Sequence, residues 1–210
     1  MCSMSFDASQ PQFASGNTSL VFRLREHEPH AWSELVELYS PLIFHWCQVC
    51  NLSPADGADV MQDVFEVVNR KIHLYQVQDN GSFRGWLWRI TQNKIKDFFR
   101  RQKDKAIATG GTAAQDLFAN LEDVNNPLSQ DSAPTGEVES QRLLHRALQQ
   151  IKSEFSERSW TAFWRTVVDK LPTDMAAREL GISESGIRQA KRRVLRRLRL
   201  QLGGEGENEI

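Results

Sequence analysis

The sequence predicts an all-α protein, and three observations carry that reading. Apolar residues recur at spacings of three and four through most of the chain, the period that lines one face of an α-helix. Alternation of the strand type is almost absent. Gly and Pro, at 12 and 7 of 210 residues, are sparse for a chain of many short strands and turns. A hydrophobic content of 40% is ordinary for a soluble protein that buries a core, and 210 residues suffice for one large domain or two small ones. The order of periodic and aperiodic stretches predicts two small helical domains joined by a flexible acidic linker, the C-terminal one with a helix-turn-helix.

Residues 1–17 are polar and read as a disordered lead. Helical pattern then runs over 18–102. Its first part, from Ser19 to Leu52, predicts two or three helices broken near Pro29 and Pro41, with Leu20, Phe22, Leu24, Trp32, Leu35, Leu38, Leu42, Ile43 and Trp46 as apolar positions. In the next helix Val60, Val64, Val67, Val68 and Ile72 form a buried stripe, opposite a face of Asp59, Gln62, Asp63 and Glu66. The tetrapeptide DNGS at 79–82 predicts a turn before a helix through FRGWLWRITQNKIKDFFRRQK. Over 103–136 the periodicity fades among GG, NNP and SAPTG, which predicts the linker. A second helical domain spans 137–202. It has one stripe of Leu143, Leu144, Ala147, Leu148, Ile151 and Phe155, then a helix capped by Ser156 with Trp160, Phe163, Trp164, Val167, Val168 and Leu171 as core. Residues 203–210 read as a frayed tail.

The end of that domain, MAARELGISESGIRQAKRRVLRRLR, gathers positive charge in a chain whose net charge is −1. Thr173 can cap a short helix containing Ala176, Ala177 and Leu180, and Asp174 suits the positive end of its dipole. Gly181 stands where a helix exit needs positive φ. Ser183 caps a second helix with Ile187, Ala190, Val194 and Leu198 as its buried stripe. This is the pattern of a helix-turn-helix. The free side near the start of its second helix shows Ser185, Arg188, Gln189 and Arg192, which suit base edges in a major groove. Lys191, Arg193, Arg196, Arg197 and Arg199 suit phosphates.

Charge is also sorted by segment elsewhere. Residues 84–105 carry eight Lys or Arg against two Asp, whereas 103–140 carry two Lys against seven Asp or Glu. The helix in the first of these stretches is apolar on two sides: Leu87, Ile90 and Phe98 on one, Trp88, Ile95 and Phe99 on the other. Two readings stay open. A helix apolar on two sides is usually buried on both. Rings interleaved with Arg89, Lys94, Lys96, Arg100 and Arg101 are equally what a single nucleic-acid strand needs, bases stacking while phosphates meet cations.

The order of these motifs, DGADVMQDVF, then GWLWRITQNKIKDFFRR, then an acidic stretch, then LPTDMAARELGISESGIRQAKRRVL, resembles the extracytoplasmic-function branch of the sigma-70 family of bacterial transcription initiation factors. The resemblance implies that Asp59, Gln62, Asp63 and Phe65, the last an exposed aromatic, dock on core RNA polymerase. It implies that the segment with Trp86, Leu87, Ile90, Asn93, Asp97, Arg100 and Arg101 opens and reads the promoter −10 element, with a flipped base held near the loop from Gln76 to Phe83. Trp88 and Lys96 join that set through the stacking and phosphate reading of the same helix. The resemblance makes the C-terminal helix-turn-helix the reader of the −35 element, through Ser185, Arg188, Gln189, Arg192, Arg193 and Arg196. Core polymerase and promoter DNA are then the partners, and an anti-sigma factor is admitted as a third. Three departures stand out: Ala58 where an acidic residue is frequent, Thr91 where a small apolar one is, and an unusual start to the recognition helix.

Other functions find less support. A stand-alone helix-turn-helix regulator, the alternative, would share the C-terminal motif and leave DVMQDVF without a role. His45, Cys47 and Cys50, with His27 and His30 upstream, could bind zinc or cycle as a disulfide, but no second CxxC completes a ligand set, and neither metal nor cofactor is expected. No phosphate-binding Gly loop, nucleophile elbow or acid–base cluster points to an enzyme. The start MCSMSFDASQPQF lacks a basic region followed by an apolar core, no apolar run has the length of a membrane span, and three cysteines fit a reducing compartment. The expected location is cytoplasmic, without membrane insertion.

Overall fold

The computed structural model describes residues 18–76, 82–108 and 133–204. Among them every regular element is helical: α1 (Leu20–Arg25), α2 (Ala31–Val49), α3 (Pro54–Lys71), α4 (Phe83–Ala108), α5 (Glu137–Ile151), α6 (Glu157–Val167), α7 (Thr173–Leu180) and α8 (Glu184–Gln201), with single 3-10 turns at Ile72–Leu74 and Lys152–Glu154. The described helices include none long and apolar enough to cross a membrane.

Side-chain caps set most of the helix starts. Ser19, Ser53, Ser156 and Ser183 accept hydrogen bonds from the amides of Phe22, Asp56, Ser159 and Gly186, each satisfying a donor that the first turn leaves open. Thr173 does not cap: it is the first residue of α7, and Pro172 precedes it with no side-chain bond. Pro41 does not break α2 either. It sits inside a continuous 19-residue helix on the exposed side, where water can take the carbonyl that its missing N–H leaves. Gly181 has φ 60 and ψ 40, the left-handed exit that its position calls for.

The first bundle forms where α2, α3 and α4 pack together, with Leu35, Leu38, Ile43, Val60, Val64, Val68, Leu87 and Ile95 at the centre. Gly57 of α3 packs on α2, where a Cβ would stand 3.4 Å from Cys47 and Phe44, an ordinary contact distance. In α1 the buried positions are Leu20, Val21, Arg23 and Leu24, while Phe22 is 51% exposed; the helical period, not the alternation of Leu20, Phe22 and Leu24, decides which side faces in. Trp32, Leu144 and Val168, also expected in the core, lie exposed.

A smaller core of Ala162, Ala176, Ala177, Ile187 and Ala190 joins α6, α7 and α8. The larger core continues from the first bundle into α5, α6 and α8 through Leu143, Ala147, Leu148, Ile151, Phe163, Val194 and Leu198. The two helical groups therefore lie against each other. α4 runs on to Ala108, into the stretch where periodicity fades, and residues 109–132 of the expected linker lie outside the described residues.

Candidate nucleic-acid and protein-docking surfaces

On α3, Asp59 and Gln62 point to solvent, opposite Val60, Val64 and Val67. Asp63 is partly covered. Its carboxylate lies 3.5 Å from Lys94 Nζ and 3.5 Å from Arg101 Nη2, both on α4. Phe65 is not the exposed aromatic expected there. It is 9% exposed, because Trp32 of α2 packs over it edge-on at 5.9 Å between ring centroids. Trp32 itself, at 37% exposure, is the ring this surface shows.

On α4 the two apolar sides are buried on both, as Leu87, Trp88 and Ile95 show at 0% exposure. Trp88 meets Trp46 edge-on at 5.3 Å, so in this arrangement no base can stack on it. Packing thus prevails over strand binding for Trp88, Ile95 and Phe99. The cationic face remains: Asn93, Lys96, Arg100 and Arg101 are exposed, with Arg100 paired to Asp97 at 2.8 Å. Trp86 is half-buried beside Tyr75 and Phe83, ring centroids 5.1 and 5.5 Å away, and keeps part of its surface open. Thr91 is fully buried and satisfies its hydroxyl on the Leu87 carbonyl at 2.9 Å. In the loop expected to hold a flipped base, 77–81 lie outside the described residues.

The third surface is the start of α8. Ser185, Arg188, Gln189, Arg192 and Arg193 are exposed, away from Ile187 and Ala190. Arg188 pairs with Glu184 one turn earlier at 3.2 Å, and Arg193 reaches back to Ser159 Oγ at 3.1 Å. Arg158 of α6 was not anticipated. Its Nη2 donates to the carbonyls of Leu180 and Gly181 at 3.0 and 2.8 Å, placing a cation at the C-terminal end of α7 and fixing the turn. Arg196 is half-buried. Arg197, expected to meet phosphate, is 3% exposed and makes two bonds of 2.7 Å to Glu154. Its position, one short of Leu198 and three past Val194, turns it towards the core edge rather than outward.

Cys47 and Cys50 are buried packing residues. Burial pushes their thiols up to about 12 and about 11, so they keep their protons at neutral pH and offer little thiolate to a metal or a disulfide. His45 Nδ1 faces Glu139 of α5 at 3.8 Å instead of the cysteines' partner set.

Residues 35–105, which hold nearly all of α2, α3 and most of α4, match the family described as Sigma-70 region 2. One relative, the ECF RNA polymerase sigma factor SigE of Mycolicibacterium smegmatis (strain ATCC 700084 / mc(2)155), is 33% identical over 72 residues. That similarity covers 34% of this chain and 27% of the relative, so the chain spans about a quarter of that protein's length. The helices α2 to α4 are thus similar to Sigma-70 region 2, and the relative that shares this segment is an extracytoplasmic-function sigma factor.

Proposed function

We propose that the protein is a sigma factor that brings core RNA polymerase to promoters. One observation carries this reading most: the matched segment turns two different chemistries outward from one packed helix pair. The α3 face offers Asp59 and Gln62, acidic and amide groups suited to a basic protein surface. The α4 face offers Asn93, Lys96, Arg100 and Arg101, with half-buried Trp86 at its start. Cations for phosphates beside a ring and an amide for bases suit the unpaired strand of a melted −10 element. The exposed start of α8 suits the −35 duplex, with Ser185, Arg188, Gln189 and Arg192 at base edges and Arg193 and Arg196 near phosphates. Recognition is the protein's contribution, and the chemistry of RNA synthesis belongs to the polymerase. An anti-sigma factor would act by covering one of these three faces, in the cytoplasm where polymerase works.

A direct test uses Asp59→Lys with Gln62→Ala. Both side chains are exposed and away from the valine stripe, so stability should stay within about 0.5 kcal/mol of wild type. Co-purification with core polymerase should be lost. A double variant that still binds core normally would remove the docking role of α3. A stand-alone regulator, by contrast, would bind duplex DNA without polymerase and be indifferent to these changes.

A further inference from the structure

The acidic face of α3 and the cationic face of α4 meet at one carboxylate. Among the described residues, Asp63 is the one acid of α3 that forms ion pairs with α4. Its Oδ2 lies 3.5 Å from Lys94 Nζ and 3.5 Å from Arg101 Nη2. Lys94 and Arg101 stand seven residues apart, close to two turns, so they share a side of α4 about 10 Å apart along its axis and converge on Asp63. Arg101 is held at a second point, where its Nε donates to the Asp97 carbonyl at 3.3 Å. The pair of Arg100 with Asp97 stays within α4 and joins nothing to α3. Asp59 and Glu66 lie exposed on α3 and make no ion pair among the described residues.

Two features make Asp63 an exchange point rather than a lock. Both cations use Oδ2, and nothing among the described residues bonds Oδ1, although a carboxylate accepts at both oxygens. The side chains of Asp63, Lys94 and Arg101 also keep 33%, 23% and 60% of their exposure, and pairs so open to water are individually weak. A basic group of a partner can therefore reach Oδ1 without unpacking a helix. Conversely, a carboxylate this close to two cations opposes any phosphate that approaches them.

We propose that Asp63 couples the two faces: in the free protein it holds Lys94 and Arg101, and a basic group of core polymerase that takes it releases both cations to DNA phosphates. The inference rests on the sigma-factor reading above. It gives Asp63 a role distinct from that of Asp59 and Gln62, and it adds Lys94 to the strand-binding cations of α4. The link is reciprocal. Phosphates on Lys94 and Arg101 leave Asp63 free for core, so each partner raises the affinity for the other by the same factor. That factor is about fivefold, at the low end for coupled sites because the pairs that carry it are partly exposed.

The test measures binding of a labelled −10 single strand to the full chain, alone and with saturating core polymerase. Asp63→Asn keeps the side-chain shape and removes the charge, and Asp63→Ser is a second route to the same loss. Glu66→Gln removes an equal charge from the same helix at a position that holds no cation. Without core, both Asp63 variants should bind the strand about fivefold more tightly than wild type, with an unchanged helical signal. Glu66→Gln should stay within about twofold of wild type. Core should then raise strand affinity about fivefold less in the Asp63 variants than in wild type. With Lys94 and Arg101 both replaced by Gln, Asp63→Asn should bring no gain. Asp63 variants that bind the strand no more tightly than Glu66→Gln, or that keep the whole enhancement by core, would overturn the proposal. Failure of the sigma-factor reading has a different signature: core polymerase would bind neither wild type nor Glu66→Gln, which removes the docking partner and the coupling together, whereas a missing gain on the free strand removes the coupling alone.

Discussion

Replacing Trp88 by Ala should destabilise the protein by about 3–5 kcal/mol, the cost of deleting a large ring from a packed core. Trp88 has no exposed surface and shares an edge-on contact with Trp46, so the indole leaves a cavity that neighbouring helices fill only in part. Urea unfolding of Trp88→Ala beside Lys96→Ala separates packing from DNA contact. Lys96→Ala should unfold within about 0.5 kcal/mol of wild type, since its side chain is exposed. Its loss should appear instead as weaker binding to a −10 single strand. If Trp88→Ala keeps wild-type stability and loses strand binding, the two-sided burial of α4 is wrong.

Adjacent arginines in α8 should give opposite phenotypes. Arg197→Ala should cost about 3 kcal/mol of stability, near the low end for a broken buried pair because the Glu154 carboxylate keeps 26% of its exposure. It also strips Gln201 of the guanidinium that its carbonyl oxygen faces. Arg196→Ala should cost little stability and lower the salt slope of promoter binding by about one unit, through one lost phosphate contact. Thermal unfolding and binding across a salt series read the two effects separately. Equal stability in the two variants would contradict the buried role of Arg197.

Helix existence was legible in the sequence wherever one periodic face meets one core. The stripe from Val60 to Ile72 and the set Ile187, Ala190, Val194 and Leu198 are buried as the period dictates. The Ser183 cap and the Gly181 exit were legible because local geometry alone demands them. What could not be read was set by distant partners. Phe65 looked exposed until Trp32, from another helix, covered it. Arg197 looked like its basic neighbours, because nothing near it in sequence reveals that Glu154 turns back to meet it. The Gln201–Glu34 link joins residues at opposite ends of the chain, and a lone Gln in a basic helix gives no sign of full burial. Trp88 left two readings open because composition counts rings and charges but not the helices stacked on either side of them.

The central claim is promoter-directed initiation, and the most direct measurement is transcription by core polymerase with and without the protein on a panel of −35 variants of one responsive promoter. The account predicts discrete start sites only when the protein is present, downstream of shared −35 and −10 sequences. With Arg188→Ala, discrimination at one or two −35 positions should relax by about 1–3 kcal/mol while other positions keep their preference. Start sites that do not depend on the protein, or an Arg188→Ala enzyme equally weak on every −35 variant, would contradict it.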